Sequence, residues 1–511
     1  MPPIRTRKLI REMTEPEVPP FTTTPLRLED IRRLKAAGCQ MLDEAFAALA
    51  AEHVIPCPDG YPYVRVGRDF EGGDVMFRPR WKEFSRALDE LFPEWFRPPK
   101  QGTFPRWFSE PLMFSFLEAA IARIGRMGGP YSGSHPAAVR LIFFLIRYLR
   151  APEQEVAAAV LMGHLTTDSQ QDVQIGDLRL SPITSFREYQ VVSQLIPTAP
   201  AAANRELPDH FARPECWVMC RATGTDPFAI GATAERAIDR FLFAIRLLYH
   251  GTAHPIYQVV GETTEICQRD AELTPYRYSS SPIALRPIPL SQTDDIAITG
   301  ILNLYDRVSS HRKDFVVHPL DMATNRFGTT FLPKPWYEDV VDLMTALEAT
   351  LSGVDRQDIT LRICSRAAAL LATPSDPPSA VFGDLKKLYD MRSTLVHGSA
   401  VTDKALTKCT SGLTTSRPSP WPAVRVERGV DRLRDLVRRA ILARVALADA
   451  GTWPFDTEPE TSIDQALADP GTAANWRDSW QSIIQAIEPR AVEPAAPLLD
   501  AIHDDYPGKR P

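Results

Sequence analysis

Leu28, Ile31, Leu34, Met41, Leu42, Ala45, Phe46 and Leu49 recur at the three-to-four-residue spacing of one helical face. With Thr24 as an N-cap and Pro25 at the first helical position, this spacing predicts a long amphipathic helix ending near His53. Pro56, Pro58 and Gly60 close it, and the alternation in YPYVRVG, residues 61–67, predicts a short strand or hairpin arm. Helical periodicity returns over residues 81–92, 111–127, 137–149 and 153–162. The stretch 171–195 reads as mixed strand and loop, and Pro197, Pro200, Pro208 and Pro214 make the residues after it a linker. Beyond the linker, CWVMCRA alternates as a strand and an apolar-periodic helix follows over 228–248. Short strands are predicted at 257–260 and 283–290.

From Gln292 onward the pattern is helix after helix, at 293–309, 337–351, 357–372, 380–396 and 424–449. Val426, Val430, Leu433, Val437, Ile441 and Val445 keep one apolar stripe along the last of these, which points to an antiparallel helical bundle. A Ser/Thr/Pro-rich loop over 407–422 precedes it, and a further helix is expected at 472–487. The expected fold class is α+β, an N-terminal mixed α/β region followed by an all-α bundle. Its expected parts are a basic, Pro-rich arm at 1–25, the α+β region at 26–290 with a further break available at 195–214, the bundle at 291–450, and a C-terminal helix and tail at 451–511.

Composition narrows the function classes. The chain has 511 residues, 44% hydrophobic and 24% charged, enough for two or three domains with sizeable cores. Lys and Arg total 58 against 64 acids, so a net charge of −6 excludes a global cationic field and confines any nucleic-acid site to a local patch. The apolar run Leu141–Ile146 stops at Arg147, far short of the roughly 20 residues of a membrane span. The basic N-terminus lacks the apolar centre of a secretory signal, so a cytoplasmic chain is expected. Seven cysteines with no CxxC pair suggest neither a disulfide framework nor a zinc ribbon.

The most specific motif is KKLYDMRSTLVHG, Lys386 to Gly398, at the end of a predicted helix with Gly398 where a left-handed cap belongs. Together with TALEATL (345–351) and LRICSRAAALLA (361–372), it resembles the signature of the ApeA-like HEPN domains, over about residues 290–450. Active members of that family carry an Arg, four to six intervening residues and a His, which are Arg392 and His397 here. The resemblance implies a homodimeric, metal-independent, cofactor-free endoribonuclease with RNA as its partner. It also implies a setting in antiviral defence or toxin-like arrest, with the N-terminal region as sensor. A non-catalytic HEPN module that dimerises and binds RNA, a nucleotide or a protein is the alternative.

The chemistry suits the residue types. An imidazole with a pKa near 6.5 has both protonation states available near neutrality, and a guanidinium grips two phosphate oxygens at once. On a regular helix, five positions set Arg392 and His397 about 140° apart and about 7.5 Å along the axis, so one copy does not bring them to one face. A distorted helix end or a two-fold partner is required. Ser393, four residues before His397, and Asp390, within about 20° of it, are the candidates to orient the ring. Ser393 stands where active family members often carry Asn, Asp or His. A His in the last helical turn also has a plain structural explanation, because a cation there offsets the exposed carbonyls.

Arg425, Arg428, Arg432 and Arg439 mark the last bundle helix, with 425, 432 and 439 seven residues apart. They read either as a stripe for RNA phosphates or as a solvated face paired with Glu427, Asp431 and Asp435. Arg5, Arg7, Lys8 and Arg11 give the arm a basic character. His164, Asp168 and Asp172 recur in steps of four but are expected at a helix end and turn, so no metal site is expected. His250 and His254 are separated by Gly251 and followed by Pro255, which break a helix. Cys216 and Cys220 share a strand face as core residues. No phosphate loop, nucleophile elbow or zinc-protease motif is present.

Overall fold

A computed structural model of the chain describes residues 26–51, 79–93, 109–150, 154–168, 171–183, 214–224, 227–251, 253–262, 274–275, 287–310, 318–332, 334–351, 358–397, 402–414, 422–453 and 461–495. The expected arm at 1–25, the strand at 61–67, the linker after 195 and the C-terminal tail beyond 495 lie outside these residues.

Four helices open the described chain: α1 (Leu28–Ala51), α2 (Pro79–Leu91), α3 (Ser109–Met127) and α4 (Pro136–Arg150). The Asp30 carboxylate reaches back to accept the Arg27 N–H at 3.0 Å, which satisfies an orphan donor at the start of α1. The expected stripe of α1 is buried from Leu34 to Leu49, while Leu28 is 61% exposed. Leu141, Ile142, Leu145, Ile146 and Leu149 turn α4 into the same core, each contributing about 1.5–3 kcal/mol by full burial. The turn before α4 lies against the α1 backbone. Gly133 donates its N–H to Asp43 at 2.8 Å, and a Cβ there would stand 1.9 Å from the Cys39 carbonyl oxygen.

A six-stranded antiparallel sheet follows, in the order β3–β4–β5–β1–β6–β7. Its strands are β1 (Gln154–Gly163), β3 (Val173–Ile175), β4 (Leu178–Pro182), β5 (Pro214–Gly224), β6 (His254–Glu262) and β7 (Thr274–Pro275). β2 (Leu165–Thr167) pairs in parallel with β8 (Ile288–Leu290). The helix expected at 153–162 is instead β1, the strand between β5 and β6. Its run VAAAVLM is buried on both faces, and an unbroken apolar run has no period to separate strand from helix. Gly176, with φ 53, turns β3 into β4 in a two-residue hairpin.

Helix α5 (Pro227–Leu248) packs on β5 and β1. The helices beyond are α6 (Asp294–Ser310), α7 (Pro319–Thr329), α8 (Trp336–Leu351), α9 (Ile359–Leu371), α10 (Pro378–Val396), α11 (Asp403–Thr410), α12 (Pro422–Asp449), α13 (Thr461–Ala468) and α14 (Pro470–Ile487). α12 is the hub, packed on α5, α6 and α14 and on each helix from α7 to α11. α7 had no counterpart in the periodicity, because Leu320, Ala323 and Phe327 are its whole buried set. The start of the expected loop at 407–422 is the end of α11.

The fold is α+β, with the sheet in the N-terminal half and helices beyond it. Its cores divide differently from the expected parts. One core runs from Leu34 to Leu149 within α1–α4. The other runs from Ala158 to Val492 and joins the sheet to the bundle without a break at residue 290. Arg438 of α12 shows how: it donates to the Leu247 carbonyl of α5 at 3.0 Å and to the Ala491 carbonyl at 2.5 Å. Among the described residues no helix is long and apolar enough to cross a membrane.

Candidate functional site

Helix α10 starts with Pro378 at its first position, where the missing N–H costs nothing. Val381, Asp384, Leu385, Leu388 and Met391 face inward at helical spacing. Asp390, Ser393 and His397 therefore share the outer face, Asp390 and His397 exposed and Ser393 half-buried. His397 is the C-cap at φ −80, its own N–H donated to the Ser393 carbonyl at 3.1 Å. Gly398 lies beyond the described residues.

The imidazole of His397 has no hydrogen-bond or ion-pair partner among the described residues, and neither the Ser393 hydroxyl nor the Asp390 carboxylate orients it. The expected Ser393 contact is a backbone contact. Thr394, on the flank, turns its hydroxyl to the Asp390 carbonyl at 3.0 Å instead.

Arg392 sits at the border between the buried and outer faces, its side chain 26% exposed. Its guanidinium lies over the Tyr389 ring at 5.7 Å and 3.9 Å from a Glu348 carboxylate oxygen. The Tyr389 hydroxyl donates to that same oxygen at 2.9 Å. Burial, and then the bond to Glu348, push the Tyr389 phenol above its ordinary pKa, so it stays a neutral donor. Glu348 of α8 and Tyr389 are thus part of the site and were missed by sequence reasoning. TALEATL contains that Glu, but nothing in its spacing ties it to an Arg in another helix. At this end of the bundle Leu361 and Val396 are large apolar side chains left exposed, at 60% and 50%.

The arginines of α12 are placed differently from both expectations. Arg432 and Arg439 are fully buried, so they form no phosphate-tracking stripe and no solvated face. Arg432 grips Asp376 with both terminal nitrogens, at 2.9 and 2.8 Å, and donates its Nε to Asp384 at 3.0 Å. Arg439 donates to Asp376 at 2.5 Å and to the Leu371 carbonyl at 2.6 Å. Asp435 does pair at helical spacing, with Arg438 at 2.9 Å and Arg439 at 3.2 Å, but inside the core. Burial alone would raise the Asp376 and Asp435 pKa values, and the surrounding guanidiniums outweigh it and hold both below the carboxylate range. Arg428 is buried as well, while half-buried Arg425 donates to Thr407 at 2.9 Å. Arg432 and Arg439 lock α12 to the turn before α10.

Asp384 also accepts the Thr414 N–H at 3.2 Å, and Lys387 donates to the Ser411 and Gly412 carbonyls at 3.1 and 2.9 Å. α10 thereby anchors the segment after α11 on the flank of the same helix that ends at His397.

The weaker constellations are structural. His164, at φ 59, sits between β1 and β2 with its ring 5.0 Å from His254, and Asp172 pairs with Arg179 at 2.5 Å. Gly163 makes room for this pair, since a Cβ would lie 2.7 Å from the His254 ring. Cys216 and Cys220 are buried in the sheet as reduced thiols. Among the described residues no group of three or more His, Cys, Asp or Glu could hold a metal ion. Compared with protein-family models, curated proteins and solved structures, the chain matches none.

Proposed function

We propose that the chain is a metal-independent endoribonuclease of the HEPN type that acts as a homodimer, with Arg392 and His397 of each copy at a shared groove. The observation that carries this reading is the exposed imidazole of His397, without a partner among the described residues and five residues from a half-buried arginine at the end of one helix. Exposed Leu361 and Val396 beside them give that end of the bundle apolar surface for a second copy. Cleavage needs one base to take the proton of the 2′-hydroxyl as it attacks the phosphorus. It also needs one acid to protonate the departing 5′-oxygen. Two copies supply two imidazoles, one to act as the base and one as the acid. The guanidinium of Arg392 offsets the charge on the non-bridging oxygens. No metal ion takes part, and the products end in a cyclic phosphate and a 5′-hydroxyl. The helices α1–α4 and the sheet serve as the sensing part, in a cytoplasmic setting such as defence against phage.

A second reading rests on the pull of Glu348 and Tyr389 on Arg392. A guanidinium already matched by a carboxylate suits a non-catalytic module that binds RNA, a nucleotide or a partner protein. Expression of the wild type, Arg392→Ala and His397→Ala in cells separates the two. Growth arrest and cyclic-phosphate fragments from the wild type alone support the nuclease. Intact RNA in all three, with RNA co-purifying only with the wild type, supports the module.

A further inference from the structure

Helix α4 turns one face into the N-terminal core, and its other face carries a different pattern. Arg140, the adjacent Phe143 and Phe144, Arg147 and Arg150 fall within about 120° of one another around it, and all five are exposed. The stripe runs about 15 Å from Arg140 to Arg150. Phe143 and Phe144 are 46% and 43% exposed, an unusual position for two adjacent large rings in a helix with a complete buried face. Arg123 of α3 lies over the Phe144 ring at 5.3 Å, while Phe143 makes no ring contact among the described residues. The helix contains no acidic residue. Arg140, Arg147 and Arg150 have no hydrogen bond or ion pair among the described residues, whereas Arg432, Arg438 and Arg439 of α12 are matched by aspartates.

We propose that this face of α4 binds single-stranded nucleic acid, with the three free guanidiniums on phosphates and Phe143 under a base. Uncompensated arginines in a chain of net charge −6 make a local attractor for a polyanion, and the rest of the surface confines the polyanion to it. The rings select a single strand, because in a duplex the base faces are already stacked and out of reach of a convex helix. A membrane surface fits less well. Interfacial helices bury a whole apolar face in lipid, and the apolar face of α4 is already used by the core. The stripe is separate from Arg392 and His397, and the inference holds whether or not the chain cuts RNA.

The test is a fluorescence-anisotropy titration of the full chain with a short labelled single strand. The strand is made once as DNA and once as 2′-O-methyl RNA, neither of which can undergo 2′-hydroxyl attack. With salt varied between about 50 and 200 mM, the triple variant Arg140→Gln, Arg147→Gln, Arg150→Gln should lose at least about tenfold in affinity. Its slope of log affinity against log salt should fall by about two. Phe143→Ala should weaken binding about tenfold with the slope unchanged. All substituted positions are exposed, so melting temperatures should stay at the wild-type value. If the triple variant fails to fold, the Phe143→Ala arm decides alone. Failure of the wild type to bind either strand overturns the proposal, as does undiminished binding by the variants. A wild type that prefers phosphatidylserine vesicles or polyglutamate to both strands, with the variants losing that preference, overturns it in favour of a membrane or an acidic partner.

Discussion

Arg432 is the residue on which the α10–α12 junction depends most. Its removal leaves the buried Asp384 carboxylate without its arginine and Asp376 with Arg439 alone, and Arg432→Ala is expected to cost about 3–5 kcal/mol in urea unfolding. A loss below about 1 kcal/mol would show that the cluster is neutralised some other way. The buried carboxylates also set a pH profile with two opposing limbs. Asp376 and Asp435 are held below the usual range, so their contribution is complete above roughly pH 4 and is lost as pH falls beneath it. Asp339 is pushed up to about 6 by burial, against the pull of Arg434 and Lys334. Its ionisation in the folded state is therefore penalised, and stability should rise as pH falls from above 6 towards 4. The urea midpoint should pass through a maximum near the bottom of that interval, and Asp339→Asn should flatten the rise alone; a rise that survives it would assign that limb to other groups. At this scale the sequence exposed Arg392 and His397 through their spacing, since an Arg and a His in a helix end are local facts. It hid Glu348, 41 residues from the Tyr389 it bonds, and the burial of Arg432, because a helical wheel sorts faces without saying which are covered.

At the scale of elements, the long helices with a polar side are legible, whereas the short α7, with three buried residues, and the doubly buried β1 are not. α1, α2, α3, α4, α5 and α12 fall close to where the apolar period puts them, each burying one stripe. The sequence of β1 reads as a helix because Ala, Leu and Met favour helices and its two buried faces erase the alternation that marks a strand. Only its partners β5 and β6 determine its form, and pairing between segments about 60 and about 100 residues apart is not a local signal. The apolar run Leu141–Ile146 hid its own exception, since Phe143 and Phe144 point away from the core that their neighbours fill. The junction of α1 and α4 offers a sharp test. Gly133→Ala places a methyl against the Cys39 backbone, which cannot yield as a side chain could. We expect a loss of about 1–3 kcal/mol in the stability of α1–α4. An unchanged melting curve would mean that the turn moves freely off α1.

At the scale of the whole molecule, the change from strands to helices near residue 290 is a change of texture and not of core. α5 of the sheet region packs against α6 and α12, and Arg246 of α5 and Arg434 of α12 lie over Phe331 at 4.4 and 5.1 Å. The break between cores falls between Leu149 and Ala158. Calorimetry should therefore resolve two transitions, with Gly133→Ala moving one and Arg432→Ala the other; a single transition shifted by both substitutions would show the cores to be coupled. The sheet and bundle then act as one body that presents the end of α10, while α1–α4 carry the stripe on α4. The most direct test of the central claim uses the purified chain, a labelled RNA and excess chelator, with product ends mapped chemically. The account expects 2′,3′-cyclic phosphate and 5′-hydroxyl ends from wild-type dimers and none from Arg392→Ala or His397→Ala dimers that melt like the wild type. Equal cleavage by all three, or intact RNA with wild-type dimers, would contradict it.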